Sequence, residues 1–147
     1  MIFERINFFI GEALKEARSA FDEGCIPIGA VIVFNDRVIA RARNKNESFL
    51  MHAEIECIKI AERSIGTRYL NECEMFVTLS PCLMCSYAIF LSKIRRVFYC
   101  AFSSDIHHLE YRNFVGKIKF YGGFCESESL DLLKNFFFHG RKKNVDF

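Results

Sequence analysis

The chain has 147 residues, 51% of them hydrophobic, and a formal charge of only +2. That length suits one domain running from residue 1 to residue 147, and 17 phenylalanines supply too much apolar material for a disordered chain. The near-neutral balance does not mark a nucleic-acid binder; "KIRR" (93–96) and "HGRKK" (139–143) gather cations, but such clusters most often form solvated surface patches.

In chain order, Ile6, Phe9, Ile10, Ala13, Ala17 and Phe21 recur at three- and four-residue steps, the pattern of an amphipathic helix that Gly24 is placed to end. "IPIGAVIVF" (26–34) and "RVIARAR" (37–43) read as two strands joined by a tight turn at Asn35-Asp36. The polar stretch "NKNESFLM" leads into a helix beginning near His52. "EMFVTLS" (74–80) reads as a buried strand, followed by a helix over about residues 81–92 with Pro81 in its first turn and Ser80 as its cap. "RRVFYCAF" (95–102) is a further strand, 103–116 carries no clear signal, and "KIKFYGG" (117–123) suits a short last strand. Leu130, Leu133, Phe136 and Phe137 then place an apolar stripe on a closing helix. Strands alternating with helices predict an α/β fold whose mixed sheet is covered on both faces.

The seven cysteines are odd in number, and the opening "MIFERINFFIGEALKEAR" has charges throughout, unlike a secretory leader. The longest clean apolar run is far short of the ~20 residues of a membrane span. A cytoplasmic protein with reduced thiols is the economical reading, and there a Cys-x-x-Cys pair points to metal or redox chemistry.

Cys82 and Cys85 form such a pair at the start of a predicted helix. At that spacing both sulfurs lie on one face, and a helix N-terminus favours the thiolate form that binds metal. His52 completes a His/Cys/Cys set if the two helix starts meet at one edge of the sheet. That set suits Zn²⁺, and three protein ligands leave one tetrahedral position for water, as in catalytic sites. Glu54 follows His52 by two residues, so it faces elsewhere and is no fourth ligand. It is placed instead to move protons, a useful role because two thiolates weaken zinc as a Lewis acid. Hydrolytic removal of ammonia from an amidine-like ring carbon is the chemistry that such a pair of parts supports. A redox dithiol would leave "HAE" without a purpose. Cys25, Cys57, Cys73, Cys100 and Cys125 lack such partners and read as small buried hydrophobes.

His-x-Glu followed by Pro-Cys-x-x-Cys resembles the signature of zinc-dependent nucleobase deaminases. Within that superfamily the chain resembles bacterial tRNA adenosine deaminases. The likeness runs through "GCIPIGAVIV", Asn44, "HAEIECI", "FVTLSPCLMC", "KIRRVFYCA" and "LLKNFFFHGRKK". The resemblance implies a three-layer α/β/α sandwich with a mixed five-stranded sheet and a homodimer. It also implies one Zn²⁺ held by His52, Cys82 and Cys85, with Glu54 as the proton shuttle. Asn44 would hydrogen-bond the flipped nucleoside and Ile28 would wall the base pocket. The implied reaction converts the wobble adenosine of a tRNA anticodon to inosine by zinc-activated water.

The chain departs from the family pattern at Ser80, where Glu is usual, in a shortened stretch between Asn44 and His52, and in "FSSDIHHLEYRN" (102–113). His107 and His108 in that stretch are candidate substrate contacts, though loop residues of this kind are more often simply exposed. Arg141, Lys142 and Lys143 beside Phe136 and Phe137 combine packing with phosphate attraction, or merely solubilise the helix end. Two alternatives stay open: a deaminase of a free base or nucleoside such as cytosine or guanine, and a non-catalytic zinc-stabilised RNA-binding domain.

Overall fold

The computed structural model describes residues 1–103 and 117–140. Among them run α1 (Ile2–Asp22), β1 (Gly29–Phe34), β2 (Arg37–Arg43), α2 (Ala53–Ile65), β3 (Glu74–Leu79), α3 (Leu83–Leu91), β4 (Arg96–Ala101), β5 (Lys119–Tyr121) and α4 (Glu126–Gly140). The candidate contacts His107, His108, Arg141, Lys142 and Lys143 lie outside the described residues.

The elements follow from local chemistry. Gly24 ends α1 in the left-handed region (φ +75°); its N–H donates to the carbonyl of Phe21, and that of Cys25 to Ala20, at 3.0 and 2.8 Å. Those two bonds close the helix with a Schellman motif. Asn35 and Asp36 both take positive φ (50° and 58°), the backbone that a two-residue hairpin turn needs to match strand twist. The predicted hairpin is therefore present, with its first strand starting at Gly29 rather than at Ile26.

The five strands order as β2-β1-β3-β4-β5. β1 pairs antiparallel with both β2 and β3, whereas β3, β4 and β5 run parallel. Strand alternation sends Ala30, Ile32, Met75, Val77, Val97 and Tyr99 to one face, where they pack with Cys57, Ile58 and Ala61 of α2 and Ile89 of α3. Val31, Val33, Phe76, Phe98 and Cys100 point the other way, onto Ile6, Phe9, Ile10 and Leu14 of α1 and Leu132 of α4. The fold is the expected three-layer α/β/α sandwich around a mixed five-stranded sheet. Gly29 makes the α1 side possible: a Cβ there would fall on the Ala13 carbonyl and the Ala17 amide.

Three local expectations are corrected. Pro81 does not open α3, and Ser80 does not cap it. Ser80 is buried, its N–H donating to the Ala101 carbonyl (2.8 Å) and its hydroxyl accepting from the Ser103 N–H (2.9 Å). These bonds hold residue 80 in the sheet layer, so the helix begins two residues later with Cys82 in the cap position. On α4, Phe136 is buried but Phe137 is 38% exposed. The helix is set by the ring contact of Phe136 with Phe21 and by buried Ser129, whose hydroxyl donates to the Thr78 carbonyl at 2.6 Å. Cys25, Cys57, Cys73 and Cys100 are buried as expected, while Cys125 is only half-buried.

Candidate metal centre

The site forms where two helix N-termini meet the end of β3. His52 occupies the cap position of α2 and Cys82 that of α3, both with extended backbone, and Cys85 lies in the first turn of α3. The α2 terminus is capped from outside: the Asn44 side-chain oxygen accepts from the Ala53 N–H at 2.7 Å. Asn44 is itself held by its N–H, which donates to the Ile28 carbonyl at 3.1 Å. The hairpin thereby fixes where α2 begins, and with it the direction of His52.

The His52 Nδ1 lies 3.6 Å from the Cys82 Sγ and 3.5 Å from the Cys85 Sγ. All three donor atoms fall within 4.8 Å of one another. Bonds of ~2.3 Å to sulfur and ~2.0 Å to nitrogen at tetrahedral angles put sulfur about 3.5 Å from nitrogen. The spacing and donor types therefore fit Zn²⁺. His52 and Cys82 are half-buried and Cys85 fully buried.

Electrostatics agree. Hydrogen bonds from Cys85, then from His52, pull the Cys82 thiol down to about 4. The same contact with Cys82, with burial, pushes the Cys85 thiol far up. Without metal, the pair thus shares one proton, which a cation would displace. The contact with Cys82 is also the main reason that the His52 pKa is raised.

Glu54 is 4% exposed. Burial, followed by the charge of Cys82, raises its carboxyl to about 7, with a hydrogen bond to Cys85 acting the other way. A carboxyl that both holds and releases a proton near neutrality is suited to general acid–base work. Asn44 is buried beside it in the chain's fold, with its oxygen committed to the helix cap and its amide nitrogen unbonded to the described residues. Ile28 is half-buried and packs against the α2 side of the core. His52, Glu54, Cys82, Cys85, Asn44 and Ile28 thus gather around one end of the sheet. Reading the sequence did not find the capping role of Asn44, because the N–H it caps is a backbone group with no side-chain signature.

Residues 4–101 match the family model of the cytidine and deoxycytidylate deaminase zinc-binding region. The tRNA-specific adenosine deaminase of Aquifex aeolicus is 45% identical over 98 residues, 65% of each chain. That of Agrobacterium fabrum is 37% identical over 94% of this chain and 95% of its own. A structure solved in a study of A-to-I editing by tRNA:A34 deaminases superposes with a TM-score of 0.79 at 38% identity, covering 86% of this chain and 99% of that one. The chain belongs to this family of zinc-binding deaminases. It is a zinc-dependent enzyme that removes an amino group from a nucleobase.

Proposed function

We propose that the enzyme deaminates the wobble adenosine of a tRNA anticodon, converting it with water to inosine and ammonia. His52, Cys82 and Cys85 hold the metal; when bound, Zn²⁺ supplies activation of water near neutral pH. Glu54 takes a proton from the water, returns it to the ring nitrogen next to the attacked carbon, and passes the second to the departing amine. Asn44 presents its free amide N–H to the nucleoside, and Ile28 bounds the base laterally. The observation that carries this reading is the buried side chain of Glu54 in the first turn of α2, two residues from His52 where the three metal donors converge. It is supported by the near-full-length likeness to relatives named for tRNA adenosine.

Residues 1–147 act as one domain in this reading, in the cytoplasm, where seven free cysteines stay reduced. No helix among the described residues is long and apolar enough to cross a membrane. A homodimer is supported by Leu83, Tyr87 and Leu91, which are all about half exposed and lie in line along α3.

The test is turnover by zinc-loaded protein of an adenosine-containing anticodon stem-loop beside free adenosine, cytosine and guanine. A gain of about one mass unit on the RNA is expected, as hydrolytic deamination exchanges an amine for an oxygen. Conversion of a free base alone would reassign the substrate to a small molecule. No conversion of any of them would overturn the proposal.

A further inference from the structure

The parallel strands β3, β4 and β5 have two ends, and the metal donors lie at the C-terminal end of β3. At the N-terminal ends is a separate cavity of about 350 Å³, lined by Tyr69, Asn71, Phe90, Lys93, Arg95 and Lys117 over a floor of Ile94 and Ile118. A six-residue strand separates the two ends by roughly 20 Å. The "KIRR" cluster is thus neither part of the metal centre nor a flat surface patch: two of its cations line a cleft, joined by Lys117 from a distant part of the chain.

The walls are set by the backbone. The Leu70 N–H donates to the Ser92 carbonyl (2.8 Å), that of Lys93 to Phe90 (3.1 Å), and that of Lys119 to Arg95 (2.7 Å). Lys93 takes a positive φ of 69° at the end of α3, and its ammonium lies 5.5 Å from the Phe90 ring centre. Arg68, lining an adjoining cavity with Tyr69 and Glu62, stands over the Tyr69 ring at 5.4 Å. Elsewhere the protein matches arginines with carboxylates: Arg43 with Glu16 and Glu23, Arg5 with Asp36 and Glu74, and Arg96 with Glu74. Arg68, Lys93, Arg95 and Lys117 make no ion pair with any described residue. The carboxylates near the cleft are Glu62, Glu72 and Glu74, and Glu74 is already engaged.

We propose that this cleft is a second binding site, for a phosphate-bearing nucleotide unit, either free or within an RNA strand. Three cations without an ion pair among the described residues supply the phosphate contact, and two aromatic rings supply a face for a base, the combination by which single strands are held without sequence preference. The site does not depend on the deaminase reading, because none of its residues takes part in that chemistry.

The test compares wild-type, zinc-loaded protein with the triple variant Lys93→Gln, Arg95→Gln, Lys117→Gln. The probes are labelled oligouridylate, which contains no adenine, and adenosine monophosphate. All three positions are exposed, so melting temperature and zinc content are expected to stay unchanged; if the triple variant does not fold, Arg95→Gln and Lys117→Gln are measured singly. For an RNA strand, loss of three phosphate contacts flattens the dependence of log affinity on log salt by about 2. At 0.1 M salt, oligouridylate is then expected to bind at least about tenfold more weakly. If a free nucleotide is the occupant, adenosine monophosphate binding is lost in the variant while oligouridylate is unaffected. Equal affinities and equal salt slopes for both probes in the two proteins would overturn the site. Stem-loop turnover is followed separately: a protein that binds here yet deaminates nothing would overturn the functional reading and leave this one standing.

Discussion

At the scale of single residues, the proposed chemistry separates holding from proton transfer. His52, Cys82 and Cys85 converge within bonding reach of one ion, whereas Glu54 lies in the first turn of α2 with its carboxyl turned into the protein. We therefore expect Glu54→Ala to keep zinc and fold and to lose turnover by at least about 10²-fold, the usual contribution of a positioned acid–base group. Metal content by mass spectrometry and single-turnover rates check this. Loss of zinc in that variant would make Glu54 a ligand and change the mechanism. Much of this was legible beforehand, because ligand identity and i,i+3 spacing are local properties of the chain. What was not legible is how His52 is held, since that depends on Asn44 arriving from the hairpin to cap α2.

At the scale of elements, local signals were reliable where local forces decide. The Asn35-Asp36 turn, the Gly24 stop and the strands of alternating face follow from backbone preference and periodicity. The start of α3 was misread because the deciding interactions of Ser80 are long-range, with Ala101 and Ser103. Phe137 was misread for a related reason: four apolar residues on α4 suggest one stripe, but buried Ser129 and the Phe21 ring choose the rotation. Nor could the sequence specify that β1 inserts between β2 and β3. At Gly29 the backbone of β1 lies directly against α1 at Ala13 and Ala17. Gly29→Ala places a methyl group on the helix backbone, so α1 must shift; overpacking of this kind costs about 1–3 kcal/mol. A fall of roughly 2–12 °C in melting temperature is expected for a chain of this size. An unchanged transition would mean that α1 yields without cost.

At the scale of the whole molecule, three exposed apolar side chains share one face of α3. Leu83, Tyr87 and Leu91 are 53%, 49% and 58% exposed and repeat every fourth residue along α3. Scattered apolar residues on a surface need no explanation, but three in a row on one helix face form a continuous strip. The strip begins directly beside Cys82, so a second copy packed against it lies at the rim of the metal centre. An aromatic residue in the middle of such a strip is the expected point of greatest sensitivity. Tyr87→Glu would put a charge there, and desolvating an unpaired carboxylate costs several kcal/mol, more than enough to shift a micromolar dimer to monomer. The protomer fold should survive, because the side chain is about half exposed already. Sedimentation equilibrium measures the outcome directly. A wild-type dimer that becomes a monomer with an unchanged circular dichroism spectrum places the interface on α3. A wild-type monomer, or a dimer that tolerates both Tyr87→Glu and Leu83→Glu, removes α3 as the contact and leaves each metal centre to be completed by its own chain.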